Sequence, residues 1–483
     1  MAAQSKMMDN KGQVAIIGSG PAGLFAAWAL VNDGYDVSIL EKHDRFTLAR
    51  ESILPKDKSA PPVNIPMRTF SAGYYANLFK ILNHLKIETK IHRFCYSFLR
   101  NSSSSPSPSD SHEDTDNTNN TNAAPEEPNH YFTFFSNFHR ILPCLALNAF
   151  GANIFALLCS LWFTLAVFLL PPRAMGFNHK TQTETIQDYA RRIHLPDTFL
   201  DLYLLPLFAS VSTCSHADLR LCPAIYITEY RRCTLGAHHR TIADMAGFQE
   251  SLTEGTRPDF YCTVKTVVPL VDRRGRKSVR YIDSEWIFDH VIIATGIMTA
   301  GKMCSGVAKI AQGLNEIKVR ITVEKGAEKE NGNAVSCPGG SEDLILMTHT
   351  DPIRGPVTSA LHHHPAGLDA TVSPCSELEA EVEDTQQKQQ ATNANDNKEV
   401  IHLVRPLPTA ASHNLLLSVF GKNKSSAADD AAPWKNGTDE IYLAGGYASA
   451  GLPLLKACAR SGLEAAEAIG AEIPFEILRK TPF

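Results

Sequence analysis

The residues best placed to do chemistry form a run of small residues between two apolar stretches. Gly18-Ser19-Gly20-Pro21-Ala22-Gly23 follows the apolar run Val14–Ile17, and a second run, Asp36–Leu40, ends at Glu41. This is the spacing of a G-x-G-x-x-G turn with an acidic residue after the next strand. Such a turn holds the pyrophosphate of an adenine dinucleotide, and the acidic side chain accepts hydrogen bonds from a ribose.

Each residue of this turn has a physical reason for its place. Gly18 permits the tight turn, Gly20 lets a pyrophosphate approach the backbone, and Gly23 lets the helix pack close to the strand. Pro21 suits the first helical turn, where its missing N–H is not needed. The free N–H groups of that helix end attract phosphate. The turn alone does not distinguish FAD from NAD.

A second strand-to-helix junction with glycines lies near the end of the chain. The run Ile441–Ala444 leads into Gly445-Gly446, and Pro453 stands near the start of a long amphipathic segment. This junction predicts a second helix N-terminus suited to an anion. Between the two junctions, the apolar run His290–Ala294 stops at Gly296 and predicts another buried strand.

Other reactive side chains have weaker settings. His216, His238 and His239 are suited to carrying protons near neutral pH, although a structural role is the commoner one for such residues. His362-His363-His364 predicts no metal site, because adjacent imidazoles point in different directions. Lys456 could supply an amine beside a bound cofactor, but a place on a helix surface is the commoner one for such a residue. We predict no metal site anywhere in the sequence.

The composition is that of an ordinary globular protein. The chain has 483 residues, of which 44% are hydrophobic, and a formal net charge of −5. No basic block stands out, so a nucleic-acid partner is not indicated. The 11 cysteines include no C-x-x-C pair, which favours reduced thiols in an intracellular protein, cytoplasmic or membrane-associated. The oligomeric state is left open.

Two adjacent stretches differ from this average. Residues 101–129 are rich in Ser, Asn, Asp, Thr and Pro and predict a disordered insert. The next stretch, 141–172, has no charged residue, and its part Asn153–Leu170 is apolar enough to suggest a membrane helix. Buried helices or a tunnel wall, helices lying in one leaflet, and a true span all remain open. A span is disfavoured, because segments on both sides of the stretch are needed in one nucleotide-binding sheet.

The order of these glycine-bearing segments resembles the FAD-binding domain of the flavin-dependent amine oxidase superfamily. The closer resemblance is to its fungal and bacterial branch of amine-oxidase-like NAD/FAD-binding proteins. The residues that carry this second resemblance are Tyr203-Leu204-Leu205-Pro206-Leu207, Ser210-Val211-Ser212-Thr213-Cys214, Glu229-Tyr230-Arg231-Arg232, His239-Arg240-Thr241-Ile242 and Ala444-Gly445-Gly446.

The resemblance implies an α/β fold in which a discontinuous, Rossmann-like FAD-binding domain carries an inserted α+β substrate domain. The first domain would comprise residues 11–100, 257–301 and 439–475, and the second would comprise residues 130–256 and 302–420. The implied activity is that of an FAD-dependent oxidoreductase. Its substrate would be an apolar small molecule, such as a lipid or secondary metabolite, and a membrane surface is a further expected partner.

The resemblance also implies the position of FAD. Gly445 and Gly446 would lie near the pyrophosphate or ribityl chain, and Gly451 and Leu452 beside the isoalloxazine ring. Tyr447 would be an aromatic wall of that pocket and is the one weak catalytic candidate. The implied cofactor-binding residues are Gly18, Ser19, Gly20, Pro21, Ala22, Gly23, Glu41, Lys42, Arg50, Val267 (through its backbone, to adenine), Gly445, Gly446, Gly451 and Leu452.

Two departures from the family pattern keep alternatives open. Leu48-Ala49-Arg50 stands where a Gly-Gly-Arg turn is usual, and Ala243-Asp244-Met245 stands where a glycine pair is usual. A non-catalytic, membrane-associated flavoprotein and an NAD-dependent dehydrogenase are therefore the alternatives. The late Gly445-Gly446 junction disfavours the dehydrogenase, because a simple NAD domain does not need it.

Overall fold

The computed structural model describes most of the two predicted domains. The described residues are 11–48, 52–53, 63–64, 69–91, 95–100, 129–135, 150–175, 182–212, 214, 216–269, 277–281, 284–314, 316–325, 346–350, 357–361, 368–375, 398–420, 434–449 and 451–479. The predictions for 101–128, 141–149, Ala49-Arg50 and His362-His363-His364 lie outside these residues.

The strands fall into sheets of two to seven members. In chain order they are β1 (Gln13–Ile17), β2 (Asp36–Leu40), β3 (Ser52–Ile53), β4 (Val63–Asn64), β5 (Thr69–Ser71), β6 (Thr89–Ile91), β7 (Cys95–Arg100), β8 (Asn129–Phe135), β9 (Ala174–Met175), β10 (Gln182–Thr183), β11 (His239–Ile242), β12 (Arg257–Asp259), β13 (Val264–Pro269), β14 (Lys277–Tyr281), β15 (Ser284–Phe288), β16 (His290–Ile293), β17 (Glu316–Lys325), β18 (Leu346–Thr350), β19 (Val357–Leu361), β20 (Leu368–Cys375), β21 (Lys398–Pro406) and β22 (Ile441–Leu443).

The helices lie mainly in the first half of the chain and at its end. They are α1 (Pro21–Asn32), α2 (Ala76–His84), α3 (Phe150–Leu169), α4 (Ile186–Arg192), α5 (Asp197–Phe199), α6 (Leu205–Ser212), α7 (His216–Arg220), α8 (Ala224–Thr234), α9 (Met245–Thr253), α10 (Ile297–Met303), α11 (Ser305–Gly313), α12 (Ala410–Phe420) and α13 (Leu455–Ile469). A π-helical turn, Leu200–Leu204, joins α5 to α6.

A five-stranded parallel sheet forms the half of the molecule that contains the two glycine junctions, in the order β12-β2-β1-β16-β22. Its central strands are apolar runs buried on both faces, as parallel sheets require. Ile17 lies opposite Leu40 and Ile293, and Ile293 lies opposite Leu443. The carboxyl ends of four strands therefore meet at one edge, where the chain enters both glycine junctions.

Helices cover both faces of this sheet. Side chains alternate along a strand, so Val14 and Ile16 of β1 face one layer while Ala15 and Ile17 face the other. The first pair joins the core that contains α1 and α13, and the second pair joins the core that contains α10, α11 and α12. The last two of these helices come from the segment 302–420, which the sequence assigned to the substrate domain.

The other half is built on a seven-stranded sheet in the order β21-β17-β20-β18-β19-β7-β8. All neighbouring pairs in it are antiparallel except β18 with β20. Strand β7 belongs to this sheet, although the sequence placed it at the end of the nucleotide-binding segment 11–100. The partners of β7 are β19 and β8, and β8 begins at Asn129, the last residue of the predicted insert.

The apolar stretch contains one long helix, α3, within the residues that the structure describes. None of the helices in the described ranges is long and apolar enough to cross a membrane.

Candidate functional site

The glycine turn between β1 and α1 is tightly packed at Gly23, its closed side, and open at Gly20, its open side. Gly18 has a φ of +97°, and its N–H donates to the Leu40 carbonyl at 2.9 Å. A Cβ on Gly23 would lie 2.4 Å from the Gly18 carbonyl oxygen, so only glycine fits there. A Cβ on Gly20 would meet nothing closer than the Ala294 carbonyl oxygen at 3.7 Å. The turn therefore leaves the backbone of Gly20 accessible to a ligand.

The Glu41 carboxylate holds this turn in place through hydrogen bonds. It is buried, and its Oε2 accepts bonds from the Ser19 N–H at 2.8 Å and the Ser19 hydroxyl at 2.7 Å. Its Oε1 accepts the His43 N–H at 3.0 Å. Thr47 completes the network by donating its hydroxyl to the Ser19 carbonyl at 2.9 Å. Because a carboxylate oxygen can accept two bonds, Oε1 retains capacity for a ribose hydroxyl.

The second junction lies against the first. The Gly445 N–H donates to the Ser461 hydroxyl at 3.0 Å, and that hydroxyl is also 3.0 Å from the Gly445 carbonyl oxygen. Helix α13 then packs directly on α1, because a Cβ on Gly462 would lie 2.4 Å from the Ala22 carbonyl oxygen. Both glycine junctions thus leave the same edge of the parallel sheet, and the first turn of α1 packs on the middle of α13.

The remaining predicted cofactor residues differ in their surroundings. Pro21 occupies the first turn of α1 and Lys42 is exposed. Val267 lies in β13 with its side chain in the core, which leaves its backbone as the part able to contact a ligand. Leu452 is buried, and Arg50 lies outside the described residues. Their contacts to a cofactor remain predictions.

The aromatic candidate Tyr447 does not face open space. Its side chain is buried in the core beneath the sheet, and its ring folds back over Gly445. A role as a wall of the flavin pocket stays a prediction for this residue.

A buried polar cluster lies at the start of α13, beside Gly451. Tyr74 follows β5 and is 1% exposed, and its hydroxyl has no hydrogen-bond partner among the described residues. A Cβ on Gly451 would be 4.0 Å from that hydroxyl oxygen. Lys456 places its Nζ 4.0 Å from the centre of the Tyr74 ring and 3.0 Å from Glu229 Oε1. Burial, and then the charge of Glu229, raise the pKa of Tyr74 well above its usual range, so the hydroxyl stays protonated.

A second polar pair borders the same glycine. The Tyr226 hydroxyl lies 2.7 Å from His413 Nδ1 and also interacts with the backbone of Gly451. Burial lowers the pKa of His413, which keeps the imidazole neutral at neutral pH. A neutral imidazole can accept the tyrosine proton at Nδ1. Side chains from the turn after β5 and from α8, α12 and α13 therefore converge at Gly451.

Sequence reasoning missed most of this cluster. Tyr74, Tyr226 and His413 carry no motif and come from distant segments. Glu229 was quoted only as part of a family resemblance. Lys456 was expected on the helix surface, yet its side chain is 19% exposed because it pairs with Glu229 across the interface between two helices. Its place in the first turn after a glycine junction was the one available signal.

The other titratable candidates do not assemble a centre. Within the described part of the chain, no group of three His, Cys, Asp or Glu residues has the geometry to hold a metal ion. His216 is buried at the start of α7, and His239 lies in β11 opposite Ser71 of β5.

Comparison with protein families agrees with the N-terminal geometry. The family described as "NAD(P)-binding Rossmann-like domain" matches residues 16–85. These residues include the glycine turn, α1, β2 and Glu41. No curated protein sequence matches the chain.

Solved structures resemble the chain over almost its full length. The CLA-producing fatty acid isomerase from P. acnes has a TM-score of 0.56 at 12% identity and covers 95% of this chain and 99% of its own. Cyclohexylamine oxidase from Brevibacterium oxydans IH-35A has a TM-score of 0.52 at 12% identity, with coverage of 95% and 98%. Putrescine oxidase bound to putrescine has a TM-score of 0.52 at 14% identity, with coverage of 95% and 99%.

These similarities confirm the predicted fold class. The chain has an α/β fold with a Rossmann-like parallel core, and its resemblance to the flavin-dependent amine oxidase superfamily holds at the level of the fold.

Proposed function

We propose that this protein is an FAD-dependent oxidoreductase that dehydrogenates or oxidises an apolar small molecule. One observation carries the proposal: two glycine-bearing strand-to-helix junctions, at Gly18–Gly23 and at Gly445-Gly446, start from one edge of the same sheet. Each supplies a helix N-terminus with free N–H groups. The close approach of Gly462, in the middle of α13, to Ala22 fixes α13 against the first turn of α1.

The paired junctions favour FAD over NAD. The turn at Gly20 and the carboxylate of Glu41 suit the adenosine diphosphate part, which both cofactors share. The second junction extends the site along the sheet edge toward Gly451, where a larger ring system would lie. The similar structures that are named oxidases support an oxidoreductase of this kind.

The residues around Gly451 would fit the polar flavin ring of FAD with an apolar substrate beside it. Bound FAD would supply acceptance of hydride or electrons from the substrate. Tyr74 would donate its unpartnered hydroxyl to the ring or to the substrate, and Lys456 would hold the Tyr74 ring through a cation–π contact. Glu229 orients the Lys456 ammonium from the other side.

An apolar substrate is favoured by the aromatic side chains around this cluster. Tyr74 makes edge-on contacts with Tyr75 and Tyr230, and Tyr230 makes a further contact with Phe208. Burial raises the pKa of Tyr230 to about 12, so it too is neutral. A fatty acid isomerase among the similar structures is consistent with a lipid-like substrate.

Cofactor extraction tests the proposal directly. We expect the purified protein to be yellow and to release FAD on denaturation, identified by its mass, with one FAD per chain after reconstitution. Added NAD should not protect the protein from thermal unfolding. A colourless protein that does not bind added FAD would overturn the proposal, and protection by NAD alone would favour a dehydrogenase.

Substrate-dependent bleaching separates catalysis from structural binding. Under anaerobic conditions, an apolar substrate should reduce the bound flavin and abolish its visible absorbance. Bound flavin that dithionite reduces but no lipid, amine or alcohol reduces would favour the non-catalytic flavoprotein.

A further inference from the structure

Helix α3 is fixed in orientation by polar contacts from more than one side. Arg231 of α8 donates from Nε and Nη2 to the Thr164 hydroxyl at 3.0 and 2.7 Å. Arg232 donates to the Val167 carbonyl at 2.7 Å, and Trp162 donates its Nε1–H to the Ile193 carbonyl at 2.8 Å. The bonds to Thr164 and Val167 turn that side of α3 toward α8, so the other side points outward. Trp162, 40% exposed, holds the outward side of the helix to the Ile193 carbonyl.

The outward face of α3 is entirely apolar. Every exposed position from residue 154 to residue 170 carries a large hydrophobic side chain, and the most exposed are Leu158 at 60%, Leu161 at 58% and Leu169 at 66%. We refer to these nine residues as the apolar stripe: Ile154, Leu157, Leu158, Leu161, Trp162, Leu165, Phe168, Leu169 and Leu170. Monomeric soluble proteins rarely expose a contiguous apolar surface of this extent.

We propose that the apolar stripe lies in the outer part of a lipid leaflet, with α3 parallel to the membrane plane. Five turns of exposed helix without one polar exposed side chain match a hydrocarbon environment better than a protein partner. Protein–protein interfaces are only about 57% apolar by area and carry a polar rim. Interfacial helices bury an apolar face at the level of the acyl chains in this way.

The charged residues that flank α3 in the sequence fit an anionic membrane surface. No Asp or Glu stands between Glu127 and Glu184, whereas Arg140, Arg173 and Lys180 do. Arg173 is exposed just beyond the end of α3. Cationic side chains beside an interfacial helix attract anionic lipid head groups. In a dimer formed through the stripe, each copy would bring the same apolar and basic segment. Neither copy would have an acidic residue in this segment to pair with the basic residues of the other.

Vesicle flotation tests the proposal with the full-length protein. We expect the wild type to float with vesicles of phosphatidylcholine containing phosphatidylserine. Leu158→Glu combined with Leu161→Glu should reduce the bound fraction at least about tenfold, because each change puts a charge where a leucine would enter the lipid. The matched control is Leu417→Glu, which changes a similarly exposed leucine, 48% exposed, on α12 and should bind like the wild type.

Three further readouts make the outcome decisive. Trp162 should be quenched by brominated lipid, and the quenching should disappear in Trp162→Phe. Wild-type protein that stays in the soluble fraction at every lipid concentration would overturn the proposal. So would a concentration-dependent dimer that the double variant abolishes, because a second copy would then cover the stripe. A lowered melting temperature of the double variant without lipid would likewise overturn it, because the stripe would then be covered within the chain.

Discussion

Gly20 and Gly23 serve the nucleotide turn in different ways, and alanine substitution separates them. Gly20→Ala should fold with an unchanged melting temperature but bind FAD at least about tenfold more weakly, because its methyl group occupies ligand space rather than protein space. Gly23→Ala should lower the melting temperature of the cofactor-free protein, because its methyl group collides with the Gly18 carbonyl oxygen.

Calorimetric titration with FAD and differential scanning fluorimetry measure both effects. Equal loss of stability in the two variants would contradict the distinction between an open and a closed side of the turn.

Tyr74 illustrates a buried group that gains its partner only from a ligand. Replacing Tyr74 with Phe removes an unpartnered buried hydroxyl, so the cofactor-free protein should gain about 1 kcal/mol of unfolding free energy. The same change should weaken the binding of FAD or substrate beside Gly451. Chemical denaturation with and without FAD and substrate measures the two effects. The control is Tyr75→Phe, because the Tyr75 ring packs against the Tyr74 ring in the same aromatic cluster. A destabilised Tyr74→Phe variant would show that the hydroxyl is satisfied within the protein.

At the scale of the elements, one ion pair, between Arg192 and the buried Glu184, fixes α4 to the segment that follows α3. Arg192 of α4 donates from Nε to Glu184 Oε1 at 2.6 Å, and the Arg173 N–H donates to Glu184 Oε2 at 2.7 Å. Burial alone would raise the pKa of Glu184, but the bonds from Arg192 and Arg173 outweigh it and lower the pKa. The carboxylate therefore stabilises the folded protein only while it is ionised.

The consequence is a pH-dependent effect of Glu184→Gln. At pH 7 this change should cost on the order of 3 kcal/mol of unfolding free energy, because Arg192 loses its buried partner. The folded pKa of Glu184 lies below the ordinary value of a glutamate, so the wild-type advantage should persist down to that ordinary value and be lost as the pH falls through the folded pKa. Denaturation between pH 7 and pH 3 measures this difference. Glu464→Gln, in partly exposed pairs with Arg460 and Arg479, should change stability by less than about 1 kcal/mol.

At the scale of the whole molecule, the cofactor site depends on residues more than four hundred positions apart. Gly462→Val should weaken FAD binding although it lies far from the glycine turn in sequence, because its side chain would push α13 away from the Ala22 carbonyl oxygen. Ala468→Val, on the exposed side of the same helix, should bind FAD normally. Equal FAD affinity in the two variants would show that the two junctions act independently.

The parallel sheet was predictable from the sequence, because each of its features is local. The glycine turn, Glu41 and the strands before Gly296 and Gly445 each carry their signal within a few residues. The cluster at Gly451 was not predictable, because β5, α8, α12 and α13 meet only through the tertiary fold. The outward face of α3 was also hidden, since both faces of the helix are apolar and only the contacts of Thr164 and Val167 decide which faces inward.

Four consecutive residues of α8 link two surfaces of the molecule. Glu229 and Tyr230 contact Lys456 and Tyr74 at the candidate site, whereas Arg231 and Arg232 bind α3. Successive residues of a helix point about 100° apart, so one turn can serve both sides. The apolar stripe and the aromatic cluster are thus separated by two packed helices, α3 and α8, each roughly 10 Å in diameter. A lipophilic molecule dissolved beside α3 would have both helices to pass before it reaches Tyr74.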